Sequence, residues 1–300
     1  MRSRMQIERA GTERYPAHGQ IQPDAPTKPF LAVALGVGLG ILTFPAVAGI
    51  SMAPFLLGLV FLALLVPALV LTRRYEGRQA MRHLLRRVLI WRFSPMRWAI
   101  IVFAMPLLTI AVAAISGTLS MPEDGWSSEI TSYLMGTLII GALILNLWEE
   151  TAWGGFLQTR LMAKQGLLRA AVMTAVPFAA IHIPLSFEGD WTWSTAGLGV
   201  ATVFLAAPFY RYLLGMHLLD TGGSILAIGI QHASWNEAQK IDGVHGDWQV
   251  LVAVGLLTLL VALGRRLLRT HPIGIEQEKA AAASWLIFTR EDGAAAKGKR

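Results

Sequence analysis

An all-α membrane protein, a polytopic bundle of about eight transmembrane helices, is the fold that this sequence predicts, and three observations lead there. The 300 residues are 54% hydrophobic and only 15% charged, which is too apolar for an ordinary soluble domain. The apolar residues gather into runs of about 20, the length that crosses a bilayer as a helix. The basic residues, in turn, fall almost entirely in segments that would lie on one side of such a bundle, the bias that marks cytoplasmic loops. The absence of cysteine excludes a disulfide framework, thiolate catalysis and Cys-ligated zinc.

Taken in order, residues 1–28 carry Arg2, Arg4, Arg9, Arg14 and Lys28 with no apolar core or cleavage site of a signal peptide, and read as a polar cytoplasmic tail. The transmembrane domain covers 29–265. It opens with apolar runs at 29–50 and 52–72, a helical hairpin. Residues 73–97 set Arg73, Arg74, Arg78, Arg82, Arg86, Arg87, Arg92 and Arg97 among Leu84, Leu85, Val88, Leu89 and Trp91. That is a basic amphipathic connector suited to anionic lipid headgroups. The net charge of +7 therefore points to membrane lipids as partners and not to nucleic acid. Further spans fall at 98–118, 131–164, 168–185, 195–215, 222–239 and 248–264, and 266–300 reads as a second cytoplasmic tail that rests on the membrane surface. With eight helices and both termini in the cytoplasm, every Lys and Arg except Lys240 lies on the inner side, counting Arg211 with the inner end of the sixth helix. Seven helices would break that asymmetry. The expected location is the plasma (inner) membrane.

The costly feature of the chain is Asn146-Leu147-Trp148-Glu149-Glu150-Thr151-Ala152-Trp153, two adjacent carboxylates inside an apolar span. A charge near the bilayer centre costs at least ~2.5 kcal/mol, so such a pair implies internal partners and a function. Partners are available in His182, in the run Phe178-Ala179-Ala180-Ile181-His182, and in His232 with Asn236 one turn on. At ~1.5 Å rise per residue, Glu150, His182 and His232 all lie about 15 to 20 Å in from the inner boundary, in one layer. Asn146 and Glu150 are i and i+4, as are His232 and Asn236, so each pair shares a helix face. Asn146 is placed to orient Glu150. Glu149 and Glu150 diverge by about 100° around the axis, so one activates water while the other holds a neighbouring helix or a His. Trp148, Trp153 and Trp235 read as packing or cavity walls, since indole offers a single donor.

These residues resemble the CAAX prenyl endopeptidase and bacteriocin-processing (CPBP, Abi) family of intramembrane proteases. Its signature is a Glu-Glu-x-x-x-Arg box, a Phe-x-x-x-His box and a His-x-x-x-Asn box on successive helices. Glu149-Glu150 match the first, Phe178 and His182 the second, and His232 and Asn236 the third, over about 130–240. The Arg of the first box falls on Gly154 here, and Arg160 lies ~16 Å further along the axis. The resemblance implies an enzyme that hydrolyses peptide bonds of membrane-associated peptides or proteins. Glu150 or Glu149 would be the base, with His182 and His232 on the water or a metal and Asn236 on the oxyanion. His182, His232 and Glu150 form an adequate zinc set with an open fourth position, although glutamate activation of water needs no metal. Two other readings stand beside this one. An inactive scaffold or immunity protein of the same fold is favoured by Gly154, and a proton-coupled transporter would show paired hydropathy repeats that this chain lacks.

Overall fold

The computed structural model describes residues 25–268 and 274–286. The expected N-terminal tail up to residue 24 and the chain from 287 onward lie outside the described residues. Among the described residues, seven helices are long and apolar enough to cross a membrane. They are α1 (Thr27–Ala48), α2 (Ala53–Glu76), α4 (Pro95–Ile115), α5 (Gly125–Gln165), α6 (Leu167–Ile181, continued by a tighter turn through Phe187), α7 (Trp193–Asp220) and α9 (Trp248–Leu268). The eighth expected span is α8 (Ile225–Ala238), only 14 residues long. It passes through the bundle because it is wrapped by α4, α5 and α7, so its backbone and polar side chains are shielded by protein and not by lipid. Two shorter helices complete the described chain, α3 (Arg78–Arg86) and α10 (Ile275–Ser284).

Local chemistry sets the boundaries. α1 stops where Gly49 takes a left-handed conformation (φ 64°), open to glycine without a Cβ penalty. α4 begins on Ser94, whose hydroxyl accepts from the Arg97 amide, with Pro95 at its first position. α7 opens with a reciprocal cap between Thr192 and Thr195, and α8 with the Ser224 hydroxyl accepting from Ala227. α5 holds two π-helical stretches, Gly136–Asn146 and Thr151–Gln158, on either side of the single α-helical turn Leu147–Glu150.

Among the described residues, contacts between chain turns add α8 to the seven spans as a further pass between the same two ends. At one end the Arg97–Asp220 ion pair (2.8 Å), the Arg160–Glu76 pair (2.6 Å) and the Ser224 hydroxyl on Ile90 O (2.6 Å) join the ends of α2, α4, α5, α7 and α8. At the other end Met52 N donates to Glu188 (3.0 Å), Ser120 N to Gly243 O (2.8 Å) and Glu123 N to Asp242 (2.6 Å). The first end carries the basic connector. Around the bundle the exposed side chains are apolar, among them Val47, Leu62, Leu107, Ile115, Leu205 and Leu259, the surface that lipid contact requires.

The C-terminal segment is not simply a tail on the membrane. α10 packs along the end of α5, Ala282 is buried, and Glu278 accepts the first amide of α6 at Leu167 (2.9 Å). Trp285 covers Gly223 and stacks 5.1 Å from the Arg87 guanidinium. Arg87 itself donates to Gly223 O, Gly155 O and Thr159 Oγ1, tying the connector, α5 and the approach to α8 into one cap.

Candidate active site

The site forms where α5, α6, α7 and α8 meet, and close backbone approach makes the meeting possible. A Cβ at Gly229 would stand 2.9 Å from Leu147 Cα, and one at Gly141 2.7 Å from Ala233 Cβ. Small residues let α8 press onto α5 at the turn bearing the carboxylates. The Gly154-Gly155 surface works the same way, with Ile228 and Ile225 filling the space a side chain would need. Glu149 is 6% exposed and Glu150 fully buried. They point apart, as their angular separation predicts, and each finds its own histidine.

Glu149 faces His182. The His182 Nδ1 lies 2.6 Å from Phe178 O, and a carbonyl oxygen only accepts, so Nδ1 carries the proton and Nε2 of the neutral ring presents a lone pair. That Nε2 stands 3.8 Å from Glu149 Oε1, and Glu149 Oε1 has no hydrogen-bond partner. An acceptor on buried Glu149 and one on half-buried His182 thus confront each other across a distance too long for a direct bond and suited to a bridging donor. Water is such a donor, because it can give one hydrogen to each.

Glu150 is engaged differently. Arg211, from α7, is itself fully buried, and its Nη1 donates to Oε1 (2.7 Å) and Oε2 (3.0 Å) of Glu150. His232 Nδ1 donates to the same Oε1 (3.0 Å). Gln158 holds Arg211 from the other side, its Oε1 accepting from Nε (3.0 Å) and Nη2 (2.7 Å) while its Nε2 donates to Arg211 O (2.8 Å). The charges of Glu150 and Arg211 offset each other, and in the tautomer with the proton on Nδ1 the Nε2 of His232 is an acceptor. At the centre lies the Phe178 ring, in contact with the His182, His232, Tyr210 and Trp153 rings and 5.4 Å from the Arg211 guanidinium.

Glu149, Glu150, His182, His232 and Phe178 are brought together as the sequence suggests. Three expectations need correction. Asn146 does not orient Glu150. Its side-chain oxygen accepts from Asn236 Nδ2 (3.4 Å), because α5 and α8 are close enough there for the two amides to meet. Arg211 does not belong to the inner boundary: α7 continues to Asp220, which leaves Arg211 nine residues, or ~13 Å, inside its end. Nor do His182, His232 and Glu150 converge as a zinc set. Both Glu150 oxygens accept from Arg211, one also from His232, and among the described residues no three His, Asp or Glu side chains are placed to hold a metal ion. Arg160, the cation that sequence spacing had brought into question, is bound to Glu76 and Phe156 O at the basic end.

Sequence reasoning missed Arg211, Gln158 and Tyr210. A cation well inside an apolar run was the available signal for Arg211, obscured by ending its helix five residues too early. At Gly154 the cation beside Glu150 comes from another helix. A Cβ at Gly154 would lie 2.8 Å from Glu150 Oε2 and 3.6 Å from Arg211 Nη2, so a cation delivered from α7 occupies the region that a side chain at 154 would enter.

Fold and site together define a polytopic helical membrane protein with two Glu–His units buried in its bundle. Residues 131–238 match the family model described as Type II CAAX prenyl endopeptidase Rce1-like, so this stretch carries a domain of the CAAX protease family. All the site residues named above lie within it. At family level the match is to an intramembrane endopeptidase of CAAX type. No curated protein matches the chain.

Proposed function

We propose that this protein hydrolyses peptide bonds of membrane-associated peptides or proteins with a water activated by Glu149. The observation that carries the reading is the facing pair of acceptors, Glu149 Oε1 and His182 Nε2, 3.8 Å apart. A water donating to both is held with its own lone pair turned outward, towards a carbonyl carbon, and Glu149 takes its proton as the bond forms. Glu150 is a poor base, since its oxygens are occupied. Its part is to fix His232, whose Nδ1 it accepts from, at the other side of the reacting group. Asn236 keeps a second amide hydrogen beyond the one given to Asn146, and that hydrogen is its means of stabilising the oxyanion. Because the donor geometry does not fit a metal, no step is assigned to one.

The basic end faces the cytoplasm in this reading, by the positive-inside bias, in a plasma (inner) membrane. The family description makes prenylated CAAX-type peptides one substrate class to try, beside unmodified membrane peptides such as bacteriocin leaders. The missing Arg at Gly154 favoured the inactive-scaffold reading, and the Arg211 cation paired with Glu150 speaks against that one argument. The test is cleavage of quenched-fluorescent peptides of both classes by purified protein reconstituted in liposomes. Wild type should cleave, and Glu149→Gln should not. Folded wild-type protein that cleaves none of them would favour the scaffold.

A further inference from the structure

The site as described is rich in acceptors. Glu149 Oε1, His182 Nε2 and, with its Nδ1 committed to Glu150, His232 Nε2 all present lone pairs. A tetrahedral intermediate needs the opposite, hydrogen-bond donors aimed at the oxygen that gains charge. Asn236 supplies one amide hydrogen, and the buried donor best placed to add another is the Tyr210 hydroxyl. Tyr210 is 1% exposed and its hydroxyl has no hydrogen-bond partner. Its ring stands edge-on to His232, centroids 5.3 Å apart, and against Trp235 at 3.9 Å. The phenol lies within electrostatic reach of Glu149, Glu150 and Arg211. Trp153 Nε1 is also unpartnered, but its ring packs between Phe30 and Phe178, one ring further from His232.

An orphaned buried hydroxyl is a cost to folding, and such groups call for an explanation. The other buried tyrosine among the described residues shows what a structural phenol looks like here: Tyr133 OH is bonded to Val102 O and to Ser234 Oγ. Tyr210 has the same burial and none of the bonding.

We propose that Tyr210 is a catalytic residue whose O–H donates to the oxyanion during peptide-bond hydrolysis, which rests on the endopeptidase reading above. Glu149 accepts a proton from water, and the water oxygen bonds to the carbonyl carbon. The C=O π pair moves onto the carbonyl oxygen, which accepts from Tyr210 O–H and Asn236 N–H. On collapse the pair returns, the C–N bond breaks, and the proton held by Glu149 passes to the departing nitrogen. Tyr210 donates a hydrogen bond throughout and keeps its proton.

The experiment compares wild type, Tyr210→Phe and Tyr133→Phe, each full-length and reconstituted, on the quenched-fluorescent peptide panel, with thermal unfolding measured in parallel. Tyr210→Phe should lower kcat by about 100-fold, leave KM within about twofold, and leave Tm unchanged or raised, because no native hydrogen bond is lost. Tyr133→Phe should do the reverse, lowering Tm and sparing kcat. Active wild type with Tyr210→Phe within threefold of its kcat would overturn the donor role alone. So would a Tyr210→Phe protein whose lost activity is matched by a lost folded fraction. Wild type silent on every peptide would overturn the endopeptidase reading and this role with it.

Discussion

Replacing Arg211 by Met tests the architecture of the site most directly. The side chain keeps much of its length and loses its charge, so Glu150 is left as a fully buried carboxylate without a cation. At ~4 Å between charge centres and an effective dielectric of ~20, the lost attraction is on the order of 4 kcal/mol, in line with the 3–5 kcal/mol typical of breaking one partner of a buried pair. Gln158 Oε1 loses both its donors as well, adding about 1–3 kcal/mol. The sum approaches the whole stability of an ordinary domain, about 5–15 kcal/mol. Arg211→Met should therefore unfold well below the wild-type temperature, or be recovered with little monodisperse protein. The decisive comparison is Glu150→Gln with Arg211→Met. Removing both charges leaves no stranded ion, and the double variant should regain about 2–4 kcal/mol over Arg211→Met, read as a double-mutant cycle from denaturant or thermal unfolding in detergent. Equal stability of the single and double variants would refute the pairing, as would an Arg211→Met protein as stable as wild type.

Glu149→Gln should lower kcat by 10²-fold or more with little change in Tm, since Glu149 Oε1 carries no hydrogen bond to lose; the assay is peptide cleavage beside calorimetry. Arg160→Met should do the opposite, costing about 3–5 kcal/mol by stranding buried Glu76 while leaving kcat per folded molecule near wild type. Gly154→Arg in the Arg211→Met background should restore part of the lost stability, because a side chain at 154 leaves the helix beside Glu150 Oε2, and what must give way to it are the ends of two side chains, Ile228 and Glu150. Protein stripped by chelator, and shown metal-free by elemental analysis, should retain full cleavage activity.

Much of this protein was legible because a bilayer is a severe solvent. The length of each apolar run, the Arg-rich connector from Arg73 to Arg97, and the isolation of Lys240 from the other basic residues follow from hydrocarbon thickness and charge asymmetry. So does the expectation that Glu149, Glu150, His182 and His232 would meet, since polar groups in an apolar layer have few places to go. The boxes on α5, α6 and α8 gave the family, and the match over 131–238 bears it out. The division of labour between the two glutamates was beyond reach. It depends on the π-helical stretches flanking Leu147–Glu150, and on which side chain of a neighbouring helix arrives first.

The sequence by itself determined the class of fold and the convergence of Glu149, Glu150, His182 and His232 in one layer, because hydrophobic run length and the cost of buried charge act on each segment separately. Only the tertiary structure decided that Glu150 is neutralised by Arg211 from α7, that Asn146 binds Asn236, that Glu149 is the carboxylate left open, and that α10 closes the basic end. Each of these is a contact between segments far apart in the chain. Such contacts are set by how closely glycine-lined helices approach, and no periodicity within one helix records that distance.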